Sequence, residues 1–505
     1  MEIQWKTASL GSWEADGIVF LAFEKPALLP SGLGRWVEQQ ARWLRDLLDL
    51  DDFQGKHQQV AAYYAPPGGR IPRVVCVGLD PEAKLDLFKL RSAVAAGLRK
   101  CREMKLRRVA FPLMALEGLP FLPQTALRES LLGGLSGLYR YTGFKTRDLN
   151  GEEFPELLVL TTETDPGDSL RDEVEACRAL MAGVALARDL ASAPANEATP
   201  SHLVAAARRL SEAYGFKLHV MDVEEARNLG MGAFAAVAQG SREPAYLIVL
   251  EHAPPGTESD RPLVFVGKGI TFDTGGISLK PGDKMEAMKH DMAGAAAVLG
   301  AFEVLGRESI PRRVIGIMPC TENMPDGKAY KPGDVVRSLS GLTIEVISTD
   351  AEGRMVLCDA LTYSQRFDPC AIVDLATLTG ACVVALGHHF AGILGNREGF
   401  VRAVQDIGWE VGDRVWPLPL YDFYFEGIKS DVADFKNVGD RSGGAIVGGI
   451  FLQQFIPDTI PWIHLDIAGT AWTTKDLIAI PQGATGFGVR ILVELARRWP
   501  EIAVE

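Results

Sequence analysis

From about residue 194 to the end, short apolar runs of strand character alternate with helical runs, and this alternation leaves few folds open. The strand-like runs are Tyr246 to Leu250, Leu263 to Val266, Val314 to Met318, Leu342 to Ile347, Ala371 to Leu375 and Trp462 to Ile467. Helical runs cover Ala293 to Leu305, Asp359 to Phe367 and about Thr485 to Arg498. Strands separated by helices predict a mostly parallel sheet covered on both faces. Ligands of such sheets bind beyond the carboxyl ends of the strands. Nearer the start, Val74 to Gly78, Ala83 to Met104 and Arg108 to Pro112 read as strand, helix and strand, a βαβ unit. No glycine-rich phosphate turn opens that helix, so a structural or assembly role is expected of this region. Between the two regions Leu170, Val174, Cys177, Met181 and Val184 make one apolar helical stripe, and Thr199 with Pro200 opens the next helix. The expected architecture is α/β throughout: a smaller N-terminal α/β domain over 1–167, a linker helix over 168–193, and a larger α/β domain over 194–505 with a mostly parallel, helix-covered sheet.

Composition narrows the function. The 505 residues are 47% hydrophobic and 23% charged, ordinary globular usage that excludes disordered and fibrous classes. With 52 basic against 65 acidic residues the net charge is −13, which gives no general attraction for nucleic acid or anionic lipid. No apolar run approaches the ~20 residues of a membrane span, and Met1 to Lys6 lacks the pattern of a signal peptide; a cytoplasmic location is expected. Seven scattered cysteines without a C-x-x-C pair read as reduced, mostly buried thiols. The eight histidines form no helically spaced pair, so a bound metal must rest mainly on oxygen ligands.

Three loops beyond strand ends are dense in charge: Gly267 to Lys280, His290 to Gly294, and Ser348 to Arg354. Gly267-Lys268 is not a phosphate loop, because Gly269 follows the lysine and the required upstream glycine is missing. Taken singly, Asp273, Asp291, Asp350 and Glu352 read as caps, turn residues or surface charges. Gathered in one pocket they repel, unless cations balance them. Two divalent ions would do so, at the ~3.5–4 Å spacing of two-metal hydrolases.

Ser348-Thr349-Asp350-Ala351-Glu352-Gly353-Arg354-Met355 resembles the N-T-D-A-E-G-R-L signature of the leucyl aminopeptidase (cytosol aminopeptidase) family. Lys268 to Gly276, Asp291 to Ala296, Glu322-Asn323-Met324-Pro325 and Asp374 to Ala381 are similar to the family's other signature segments, in the same order, across about 190–490. The resemblance implies a two-metal aminopeptidase with Lys268, Asp273, Asp291, Asp350 and Glu352 as metal ligands and Lys280 and Arg354 as catalytic residues. By the same resemblance Asp273 and Glu352 would bridge the ions, Lys268 and Asp291 would complete the tighter site, and Asp350 would serve the more exchangeable one. Lysine as a ligand requires the neutral amine; the alternative for Lys268 is an ammonium salt-bridged to the acids.

The resemblance further implies manganese or zinc, with magnesium as an alternative, and a bicarbonate held by Arg354 that takes the proton of the attacking water. Met285, Thr377, Gly380, Ala468 and Ala471 would line the pocket for the first side chain, suiting Leu or Met; ordinary core packing is the other reading of Met285 and the alanines. Peptide substrates and a homohexamer are implied as well. The departures from the family pattern are Ser348 for Asn, Met355 for Leu, and Gly282-Asp283-Lys284 between Lys280 and Met285; none removes a ligand. Two other readings stay open: a different two-metal hydrolase such as a phosphoesterase, and a DNA-binding or scaffold role added to the fold.

Overall fold

The computed structural model describes residues 1–9, 12–25, 29–50, 53–67, 71–147, 155–499 and 501–502. The chain divides into two compact units, Met1–Met181 with Lys475–Gln482, and Ala182–Thr474 with Gly483–Glu505. A helix spans Asp168–Ser192, where the apolar stripe predicts one, and the division falls inside it. The segment 475–482 returns to the first unit. An ion pair at 2.7 Å between Arg99 and Asp476 ties it there, a long-range contact that linear patterning does not reveal.

In the first unit β1 (Glu2–Thr7), β2 (Gly17–Ala22), β3 (Val60–Tyr64), β4 (Arg73–Gly78), β5 (Arg108–Pro112) and β6 (Leu157–Thr162) form one sheet in the order β1-β6-β5-β2-β4-β3. Every neighbouring pair is parallel except β3 with β4 at the edge.

The second unit contains β7 (Lys217–Asp222), β8 (Tyr246–His252), β9 (Leu263–Gly267), β10 (Gly269–Asp273), β11 (Val314–Asn323), β12 (Val335–Arg337), β13 (Thr343–Glu345), β14 (Ala371–Ala376), β15 (Ala391–Gly395), β16 (Val415–Pro417), β17 (Phe435–Lys436) and β18 (Trp462–Asp466). Its main sheet runs β16-β15-β18-β14-β9-β11-β8-β7, with β10 also paired to β11. The centre β18-β14-β9-β11 is parallel, and β9, β14 and β18 are buried at every residue, as a sheet covered on both faces demands. Among the described residues no helix is long and apolar enough to cross a membrane.

The structure corrects three sequence expectations. The strand expected at Leu342 to Ile347 is shorter and lies outside the main sheet: β13 pairs with β12 and β17, and only its middle residue is buried. The helix expected from Asp359 begins at Glu352, so Glu352 and Arg354 lie in its first turn. The last helix starts at Val489 rather than near Thr485, because Gly486 and Gly488 adopt left-handed φ of 71° and 98° that a helix cannot contain.

Candidate metal centre

Lys268 and Asp273 of the expected cluster come from the β9–β10 stretch of the main sheet, and Asp291, Asp350 and Glu352 come from the starts of helices and the loops before them. Lys268 sits in the jog where β9 ends and β10 begins, its N–H donating to Leu375 O at 3.0 Å, and Asp273 closes β10. Asn323 closes β11 and Thr377 follows β14. Asp291 lies two residues before the helix Ala293–Glu308, and Glu352 opens the helix Glu352–Ser364. Anions near helix N-termini are favoured by the unpaired N–H groups there. Close approach is paid in side-chain volume: a Cβ on Gly294 would fall 2.2 Å from Leu375 O.

Lys268 Nζ lies 2.8 Å from Asp291 Oδ1, 2.8 Å from Glu352 Oε1 and 3.0 Å from Thr377 O. Lys280 Nζ lies 2.8 Å from Asp273 Oδ2 and pairs also with Asp350 Oδ1. Oxygens of Asp273, Asp350 and Glu352 fall within 4.8 Å of one another, and among the described residues no histidine or cysteine joins them. All five expected ligands and Lys280 are thus brought together. Four carboxylates face two ammonium groups, an excess of negative charge; Lys268, Asp273, Asp291 and Glu352 are buried, Lys280 is half-buried and Asp350 lies at the exposed side.

The electrostatics follow. Burial pushes the acids of Asp291, Glu352 and Asp350 up, with Glu352 and Asp291 further raised by neighbouring carboxylates. Burial also works against the Lys268 and Lys280 ammonium ions, but the surrounding carboxylates overcome it and hold both above the ordinary lysine value. Arg354 stands apart from the ion pairs. Its Nη1 donates to Asn437 O at 2.7 Å, its guanidinium lies 5.9 Å from the Phe451 ring centre, and its buried Nε has no hydrogen-bond partner. Burial lowers its pKa to about 10.

Residues 185–493 match the model of the cytosol aminopeptidase family, catalytic domain, and residues 18–148 match the model of its N-terminal domain. The chain belongs to the cytosol aminopeptidase family. A "Probable cytosol aminopeptidase" of Syntrophobacter fumaroxidans is 56% identical over the whole of both chains, and one of Nitratidesulfovibrio vulgaris is 48% identical over 98% of each. Among solved structures, a variant of tomato leucine aminopeptidase superposes with a TM-score of 0.87 at 33% identity, covering 99% of this chain and 96% of that one. The bottromycin maturation enzyme BotP in complex with Mn gives 0.83 at 33% identity, covering 96% and 99%. The chain is a metal-dependent aminopeptidase, as the family and its named relatives support.

The donor set of this chain fits divalent cations. It offers carboxylate oxygens and one amine, and Asp291 Oδ2, although 2.8 Å from Lys268 Nζ, accepts no aligned hydrogen bond and keeps a lone pair free. Of the five expected pocket residues, Thr377 is drawn into the centre, its hydroxyl donating to Asp291 Oδ1 at 2.6 Å. Gly380 is exposed at the start of the helix Gly380–Leu386, Met285 and Ala468 are half-buried, and Ala471 is buried.

Sequence reasoning passed over the supporting residues. Asp466, at the end of β18, accepts from the N–H groups of Leu378 and Ala468 and from the Thr379 hydroxyl, so one buried carboxylate fixes the segments carrying Gly380 and Ala468. Asn437 clasps the start of the signature octamer, its amide nitrogen donating to Ser348 O at 2.6 Å and its amide oxygen accepting from Ile347 N at 2.8 Å. Its own carbonyl receives Arg354, at the far end of the octamer. Thr349 accepts from Ser278 N and donates to Gly275 O. The usable signal was a polar residue ending an apolar strand, as at Asp466 and Asn323.

Proposed function

We propose that this chain is a two-metal aminopeptidase in which Lys268, Asp273, Asp291, Asp350 and Glu352 hold both ions and which releases Leu- or Met-like residues from peptide N-termini. The observation that carries the reading is the convergence of these five side chains with Lys280. The bound ions, manganese or zinc by preference, would supply Lewis acidity to the scissile carbonyl, acidify a water and take up the free α-amine of the substrate. To coordinate, Lys268 must give up the proton that its carboxylate neighbours now favour, which a divalent charge can enforce.

Lys280 carries its ammonium beside Asp273 and Asp350 and can turn it toward oxyanion charge developing on the substrate. No histidine stands in the cluster as a base: His290 stacks on Trp472 with ring centres 5.3 Å apart, and burial lowers its pKa to about 4. A bicarbonate ion would supply that base when held by Arg354. The fit is chemical, since a guanidinium with a buried, unpartnered Nε suits a planar oxyanion and Gly448 leaves room beside Nη2, where a Cβ would lie 3.4 Å away. Met285, Thr377, Gly380, Ala468 and Ala471 would line the first-residue pocket, small and apolar enough for Leu or Met. A cytosolic homohexamer completes the proposal. The test is hydrolysis of leucyl peptides with free and N-acetylated termini, with and without chelator: only the free terminus should be cleaved, and only with metal. Equal cleavage of both would exclude an aminopeptidase.

A further inference from the structure

Asn323 is fully buried at the end of β11, a strand that is otherwise apolar up to Cys320. Its amide nitrogen donates to Asp273 Oδ1 at 2.8 Å and to Thr349 O at 2.9 Å, and lies 3.5 Å from Glu352 Oε2. Three acceptors around one NH2 group fix which way the amide points, since its oxygen there would face only other oxygens. We propose that Asn323 is a positioning residue for the metal centre: it locks one oxygen of Asp273 and the backbone just before Asp350, so that the remaining carboxylate oxygens face the ions. This rests on the metal site proposed above.

The geometry supplies the reasons. Asp273 Oδ1 accepts from both Asn323 and Gly275 N, at 2.8 and 2.9 Å, so its capacity is taken up and Oδ2, the oxygen beside Lys280, is the one left for a cation. Thr349 O is held by Asn323 and by the Tyr330 hydroxyl, also at 2.9 Å, which fixes where Asp350 begins. Register makes the same point: β10 and β11 slip between Ile270 and Asp273, yet Asp273 and Asn323 end as direct partners. The residue must be a neutral donor. A cationic donor would repel the ions, and an acid would add a further negative charge without donating. Partners that orient metal ligands commonly matter about 10–100-fold in metal affinity.

The test measures Mn²⁺ dissociation constants directly, from the electron paramagnetic resonance signal of free Mn²⁺ titrated into chelator-stripped protein. The proteins are the parent, Asn323→Ala, Asn323→Asp and Asp273→Ala, with melting of each stripped protein recorded alongside. Expected is a dissociation constant raised about 10–100-fold in both Asn323 variants at a temperature well below their melting points, and larger loss in Asp273→Ala. If Asn323→Ala does not fold, the near-isosteric Asn323→Asp carries the test. Parent-like affinity in a folded Asn323 variant while Asp273→Ala has lost Mn²⁺ would overturn the positioning role alone. Parent-like affinity in Asp273→Ala would overturn the metal site and this inference with it.

Discussion

Gly353→Ala should separate stability from activity, because the second residue of the helix Glu352–Ser364 is glycine for a reason outside the helix. Judged by helix propensity alone the change favours the fold by about 0.5–1 kcal/mol. The new methyl, however, would lie 2.7 Å from Lys268 Cε and 2.8 Å from its Nζ, against about 3.4 Å for an ordinary contact. Lys268 must then shift by roughly 0.7 Å, and its side chain is only 3% exposed. Such a shift breaks contacts now at 2.8 Å to Asp291 and Glu352. Ligand misplacement on this scale costs on the order of 100-fold in rate. The assay is kcat/KM on leucyl p-nitroanilide at saturating metal, with the melting temperature measured in parallel. A fall of about 10–100-fold with little change in melting supports the reasoning. Full activity would refute it, since Lys268 would then be free to relocate and could not be a fixed ligand.

Asp273→Ala and Glu352→Ala should each lose metal and activity together, whereas Asp350→Ala should weaken only the more exchangeable ion; metal analysis after dialysis distinguishes them. Arg354→Ala should keep its metal content, lose turnover by about 10²–10⁴, and lose stimulation by bicarbonate in carbonate-depleted buffer; equal stimulation of variant and parent would contradict the assigned role. Asp359 is fully buried, accepts from Phe234 N and Leu339 N, and is pushed by burial to about 7. A carboxyl raised in the folded state contributes stability that is complete below its unfolded value near 3.8 and is lost as pH rises through about 7. Asp359→Asn should therefore flatten the change of melting temperature with pH across that window, and an unchanged slope would count against it. Light scattering should give a hexamer; a mass near 54.8 kDa would exclude it.

The sheet's centre was legible because its strands are continuous apolar runs, and burial on both faces leaves no other pattern for them. β10 was not, since Gly269 to Asp273 follows β9 after one residue and, like β9, pairs with β11; only the jog at Lys268 and the loss of pairing with β14 separate the two. The helix start at Glu352 was hidden by Gly353, a poor helix former kept for Lys268. The acids and lysines that meet here were readable as charge in apolar sequence. Asn323 and Asp466 showed only as polar residues ending apolar strands, and Asn437 not at all, because its importance lies in hydrogen bonds to residues as many as 90 positions away, a relation no local pattern carries.

The most direct measurement is a titration of Mn²⁺ or Zn²⁺ into chelator-stripped protein, with bound metal and leucyl-amide hydrolysis followed together. The account predicts no hydrolysis without metal, full activity as the second ion per chain binds, and neither binding nor activity when Asp273 and Glu352 are both alanine. Full activity in the stripped protein, or two tight ions retained by that double variant, would contradict it.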